Sequence, residues 1–164
     1  MPDCRKQRSF FDIAALLYDR LGITPLLYGS VGLEYLTGEA LSADDIDILI
    51  PEIYLHQKWP SLLALMEENG YSLIDAHEHT FEKNSLQLSY ASLEDLLPFA
   101  GIAPSDIAIH EKEGRPFRLL NLAQYRRVYE ASSQDGYRIH TRGKKDGEKL
   151  AFIARAAAQK QAPH

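Results

Sequence analysis

Apolar residues recur along the chain with two periods, one helical and one alternating, and the switches between them mark out its elements. Phe10, Ile13, Ala14, Leu16 and Leu17 fall on one helical stripe, with Ser9 placed to cap it and Gly22 to end it, which predicts a helix over 9–20. A strand over 24–28 follows, then a short helix over 30–36 stopped by Thr37-Gly38. A loop over 39–44 leads to a second strand, 45–50, closed by Pro51. Trp59, Leu62, Leu63, Leu65 and Met66 give the inward face of a helix over 55–68. Pro60 is compatible only with the first turn of that helix, which moves its start towards Trp59, and Asn69-Gly70 ends it.

Segments 71–74, 79–82 and 85–90 read as strands, the last two joined by a turn at Lys83-Asn84. The near capping box Ser92-Leu93-Glu94-Asp95 opens a helix that ends at Gly101. Segments 106–110 and 115–120 flank Lys112-Glu113-Gly114 as a hairpin, and helices over 122–131 and 145–158 follow, separated by a turn at 132–136. Helices and strands alternate irregularly, which predicts an α/β (α+β) fold with a mixed sheet flanked by helices. The 164 residues suit one domain, 1–164, whose last part, about 121–160, is helical, and such a chain buries roughly 70% of its unfolded surface.

Composition narrows the function classes. The chain is 45% hydrophobic and 25% charged, ordinary values for a soluble globular protein. A single cysteine, Cys4, excludes an internal disulfide and fits a reducing cytoplasm. No stretch approaches the ~18 apolar residues of a membrane-spanning helix, so no membrane partner is expected. A formal net charge of −5 argues against non-specific nucleic-acid binding. Arg138, Arg142, Lys144, Lys145 and Lys149 are nevertheless concentrated over 138–149, as a solvated loop and helix start or as a phosphate or RNA contact.

The chemistry-bearing residues lie over 28–50. Gly29-Ser30 joins a strand to a helix N-terminus, where unsatisfied backbone N–H groups and the positive end of the helix dipole suit a phosphate. Asp45 and Asp47 open the next strand two residues apart, so both project to one face while Ile46, Ile48 and Ile50 take the other. Paired carboxylates repel unless a cation lies between them, and oxygen ligands of this kind suit Mg²⁺ or Mn²⁺. Turn and carboxylates together point to a metal-bound nucleoside triphosphate.

This order, strand, Gly-Ser, helix, strand with D-x-D, resembles the nucleotidyltransferase superfamily of the DNA polymerase β type, and in particular its small, stand-alone bacterial members. The resemblance implies that Gly29 and Ser30 hold the β- and γ-phosphates and that Asp45 and Asp47 are the catalytic metal ligands. It also implies a third carboxylate on a later strand. The matching strand, 85–90, carries Gln87 where that acid is expected, and Glu82, Glu78 and Asp75 are the nearest acids to take its place. A neutral amide takes no proton from an attacking hydroxyl. Two functions follow from the resemblance: transfer of a nucleoside monophosphate from an NTP to an acceptor (a small molecule, RNA or protein), or a catalytically inactive binding or interaction module of the same fold. Lys145, beside Asp146 at a helix start, is a candidate to neutralise the triphosphate. His77 and His79 would share a strand face and are weighed as a transition-metal pair, against polar strand-edge residues.

Overall fold

The strand expected over 45–50 lies at the centre of a seven-stranded sheet. The structure is a computed structural model and describes residues 4–41, 43, 45–134 and 136–161. Its strands are β1 (Leu26–Tyr28), β2 (Ile46–Ile50), β3 (Ser72–Asp75), β4 (Thr80–Lys83), β5 (Leu86–Ser92), β6 (Ala108–Lys112) and β7 (Arg115–Leu119), in the spatial order β3-β4-β5-β2-β1-β7-β6. β2 runs parallel to β5 and antiparallel to β1, β1 runs parallel to β7, and the outer pairs are antiparallel. The sheet is therefore mixed, as the irregular alternation of elements predicts.

The sequence of β2 explains its central place. Ile46, Ile48 and Ile50 are fully buried in one apolar cluster, while Leu49 belongs to a second. A strand that is apolar on both sides is one covered by helices on both faces. α1 (Cys4–Leu21) and α3 (Trp59–Glu68) bring Phe10, Ile13, Leu17, Leu62 and Met66 to the isoleucine face. α4 (Leu96–Ala100), α5 (Leu122–Gln134) and α6 (Gly136–Gln161) bring Leu96, Tyr125, Val128 and Ile153 to the other. α2 (Gly29–Thr37) lies between them, with Val31 in the first cluster and Leu33 in the second. Each fully buried leucine or isoleucine of these layers contributes about 1.5–3 kcal/mol through apolar burial.

Several boundaries differ from the sequence expectation. α1 is already helical at Cys4, the first described residue, because Arg5, Lys6, Gln7 and Arg8 are good helix formers and no cap is needed at Ser9. The helix expected over 55–68 is divided into a 3-10 turn, Glu52–Leu55, and α3, with Pro60 in its first turn. Ser92 stays extended (φ −79°, ψ 124°) and closes no capping box. The Glu94 carboxylate instead accepts the Glu52 backbone N–H at 2.6 Å, and α4 starts only at Leu96. α5 and α6 run through most of the turn expected at 132–136 and the loop expected before 145. Gly136 and Gly143 weaken the local helical signal there. Among the described residues no helix is long and apolar enough to cross a membrane.

Candidate active site

Strand register assembles the floor of a cavity of about 290 Å³. Tyr28 of β1 is level with Asp47 of β2, and Asp47 is level with Ser89 of β5, so the three side chains form one row across three strands on the face that α5 and α6 cover. Asp47 is the half-buried polar position in a strand that is otherwise buried. The chain after Tyr28 turns into α2 through Gly29, whose φ is +65°, a conformation only glycine adopts at little cost. Tyr28 is the N-cap residue and makes no side-chain capping bond, and Gly29 and Ser30 of the first turn of α2 line the cavity.

The turn is held from the other side. Tyr125 of α5 is completely buried and donates its hydroxyl to the Gly29 carbonyl at 3.1 Å. Burial raises the Tyr125 pKa well above the ordinary phenol value, and the nearby Tyr129, Tyr28 and Asp47 add to the rise, so the hydroxyl stays a donor. Lys149 of α6 reaches the cavity with its Nζ 5.3 Å from the Tyr129 ring. Glu78, from the turn between β3 and β4, lines the opposite wall.

Gly29, Ser30 and Asp47 thus share one cavity, while Asp45 precedes β2, is exposed, and does not line it. The position level with Asp47 is Ser89, not Gln87: the Ser89 hydroxyl lies 2.7 Å from Thr80 Oγ1, and Gln87 donates its amide to Glu82 at 3.3 Å. Lys145 falls on α6 with its side chain, like Asp44 and the side chains of 136–146, outside the described residues. Among the described residues, Lys149, one helical turn beyond Lys145, is the cation that reaches the cavity. Its spacing of four from Lys145 was the available signal in the sequence. His77 and His79 lie in the β3–β4 turn instead of sharing a strand face, with His79 at φ 54° and its ring 5.0 Å from Trp59. Burial lowers the His79 pKa, with His56 adding to it. Among the described residues no three His, Cys, Asp or Glu side chains gather closely enough to hold a metal.

A carboxylate that sequence reasoning passed over fixes the approach to β2. Glu34 of α2 is buried, and its Oε1 accepts the Ala43 backbone N–H at 3.2 Å, while Lys6 donates to the Ala43 carbonyl. The residue two before Asp45 is therefore gripped on both sides. Glu34→Ala is expected to cost about 1–3 kcal/mol, because the buried Ala43 N–H loses its acceptor. Glu34→Gln keeps an acceptor oxygen and should cost clearly less. Urea denaturation of the two variants checks this, and equal losses would show that the bond to Ala43 does not matter.

Compared with known proteins, the chain is 42% identical over 144 residues to the uncharacterized protein YnaI of Bacillus subtilis (strain 168), spanning 88% of this chain and 92% of that protein. No family model matches the chain. Among solved structures, a crystal structure of ANT(2")-Ia in complex with adenylyl-2"-tobramycin matches with a TM-score of 0.50 at 15% identity, covering 95% of this chain and 99% of that one. A solution structure of the antibiotic-resistance factor ANT(2'')-Ia gives a TM-score of 0.49 at 17% identity, covering 94% and 95% of the two chains. The first of these carries the fold assignment: a seven-stranded mixed sheet with the nucleotidyltransferase arrangement.

Proposed function

The chain belongs to the family of the Bacillus subtilis protein YnaI and has the nucleotidyltransferase fold, and from that premise we propose that it transfers a nucleoside monophosphate from an NTP to a hydroxyl or amine acceptor. The observation that carries this reading is the placing of the Asp47 carboxylate, in register between Tyr28 and Ser89 and directly against Gly29 at the open N-terminus of α2. A carboxylate at a helix N-terminus is stabilised by the positive end of the dipole, and from the same position it would share a cation with phosphate oxygens. Asp47 would hold Mg²⁺ or Mn²⁺ in the cavity, with the exposed Asp45 at the entry to β2 outside the lining and available only as a second carboxylate. When bound, such an ion supplies neutralisation of the charge that develops on the transferring phosphoryl group.

This chain's own residues do the rest. The N–H groups of Ser30 and its neighbours orient the triphosphate, and Lys149 offsets its charge from the α6 side. The acceptor's lone pair forms a bond to the α-phosphorus, the α–β bridging P–O bond breaks, and pyrophosphate leaves with that electron pair. Glu78, the other acid among the described residues of the cavity wall, takes the acceptor's proton. Glu78 serves as a base apart from the metal pair, in keeping with the absence of a three-ligand cluster among the described residues.

One observation favours the inactive binding module: the position level with Asp47 is a hydroxyl, already bonded to Thr80. Thermal melts with ATP, GTP, CTP and UTP, with and without Mg²⁺ or Mn²⁺, separate the readings when joined to an assay of pyrophosphate release. Ligand at a hundredfold excess over its Kd should add about 2.7 kcal/mol of apparent stability. Metal-dependent stabilisation that Asp47→Asn abolishes supports the nucleotide site, and pyrophosphate release that Glu78→Gln abolishes supports transfer. Stabilisation without release leaves the binding module. No stabilisation by any nucleotide overturns both.

A further inference from the structure

We propose that β6 pairs with the β6 of a second copy of this chain, antiparallel and about a two-fold axis, so that two sheets join edge to edge. β6 is the outermost strand on its side of the sheet, and among the described residues no strand pairs with its far side. The opposite edge, β3, is interrupted by a register shift between Leu73 and Asp75, and irregularities of this kind blunt an edge. β6 has no such interruption. Its five residues pair with β7 in unbroken register, and all five are exposed. Ile109, the second of them, is 57% exposed, an unusual position for a large apolar side chain on an open edge.

The register fixes which main-chain groups this edge offers. The Arg118 N–H is bonded to the Pro25 carbonyl at 2.8 Å, so Arg118 turns its main chain towards β1. Ile109, level with Arg118, therefore turns its own N–H and C=O away from β7. Glu111 does the same, level with Pro116, which has no N–H to give. Antiparallel pairing sets outward residues opposite outward residues, which within β6 leaves three two-fold registers. Glu111 opposite its own copy brings two carboxylates together. Ile109 opposite Glu111 sets a carboxylate against an isoleucine. Ile109 opposite its own copy places an apolar pair on the axis, where the two residues exchange main-chain bonds. The same register brings Lys112 opposite Asp106 of the second copy, twice by symmetry, and both residues are exposed. Glu111 then stands opposite Ile107, whose side chain is buried in its own core, and the carboxylate keeps its water. This third register is the one whose charges are complementary. An overlap of this length makes a small interface, so the association is reversible.

Sedimentation velocity of the full chain across a concentration series tests the proposal, and its outcome leaves the nucleotidyl-transfer reading untouched. A monomer–dimer equilibrium is expected. Ile109→Pro removes an N–H that β7 does not use, at an edge position where proline is tolerated. That variant should stay monomeric throughout, with a thermal melt in dilute solution close to that of the unaltered chain. Lys112→Glu and Asp106→Lys each put like charges opposite one another and should each weaken the dimer several-fold, and the two together should restore it. An unaltered chain that is monomeric up to about 1 mM overturns the proposal. So does a dimer that survives Ile109→Pro, or a double exchange that fails to restore association.

Discussion

Gly32→Ala is expected to lower stability by about 1–3 kcal/mol, although alanine is the better helix former. The propensity gain in mid-helix is about 1 kcal/mol. Against it stands the packing of α2 on β1: a Cβ at Gly32 would overlap the Tyr125 hydroxyl and lie 2.5 Å from the Leu27 carbonyl oxygen. The first could be relieved by a moving side chain, but Tyr125 is completely buried and the second neighbour is backbone. Overpacking of this kind costs about 1–3 kcal/mol, and displacing Tyr125 from the Gly29 carbonyl adds about 1 kcal/mol more. Thermal unfolding checks it. For a chain of this size the loss corresponds to a fall of a few degrees to roughly 10 °C in Tm. An unchanged or raised Tm would mean that α2 does not press on β1 as described.

Gly29→Ala should have the opposite signature, with a modest loss of stability and a complete loss of the site. Alanine at φ +65° costs about 1–2 kcal/mol. The larger effect is local. A Cβ there would lie 2.5 Å from Asp47 Oδ2 and 3.3 Å from Asp47 Cβ and Cγ, so the Asp47 carboxylate must swing away from the turn. Metal-dependent stabilisation by nucleotide is expected to vanish while circular dichroism and a Tm lowered by only a few degrees report an intact fold. Stabilisation that persists in this variant would separate Asp47 from the phosphate turn, and with it the core of the functional reading.

Most elements were legible because their signals are local. The isoleucines at 46, 48 and 50 announce a buried strand, Pro60 marks the true start of α3, and Glu113-Gly114 makes the hairpin turn with both residues at positive φ. The candidate cavity was legible as far as Gly29, Ser30 and Asp47, which follow one another along a single strand–helix–strand unit. What lies across the sheet was not. Alternation puts Gln87 and Ser89 on the same side of β5, and only the ladder to β2 decides that Ser89 is level with Asp47. Glu78 reaches the cavity because a turn with His79 at φ 54° carries it there. Lys149, inside the helix expected over 145–158, lines the cavity from α6, which begins at Gly136 and runs through Gly143 where a loop was expected.

The pairing of β1 with β7 has a consequence for the nascent chain. Leu26 and Leu27, which deliver the Gly-Ser turn, find their second neighbour only in Arg118 and Leu119. At usual synthesis rates the roughly 90 residues between them take about 5–20 s to emerge. During that interval β1 presents an apolar, unpaired edge, the kind of surface on which chaperones act and aggregates start. A ribosome-bound chain stopped short of β7 would hold the Gly-Ser turn and both carboxylates and still lack Tyr125 and Lys149 to close the cavity over them.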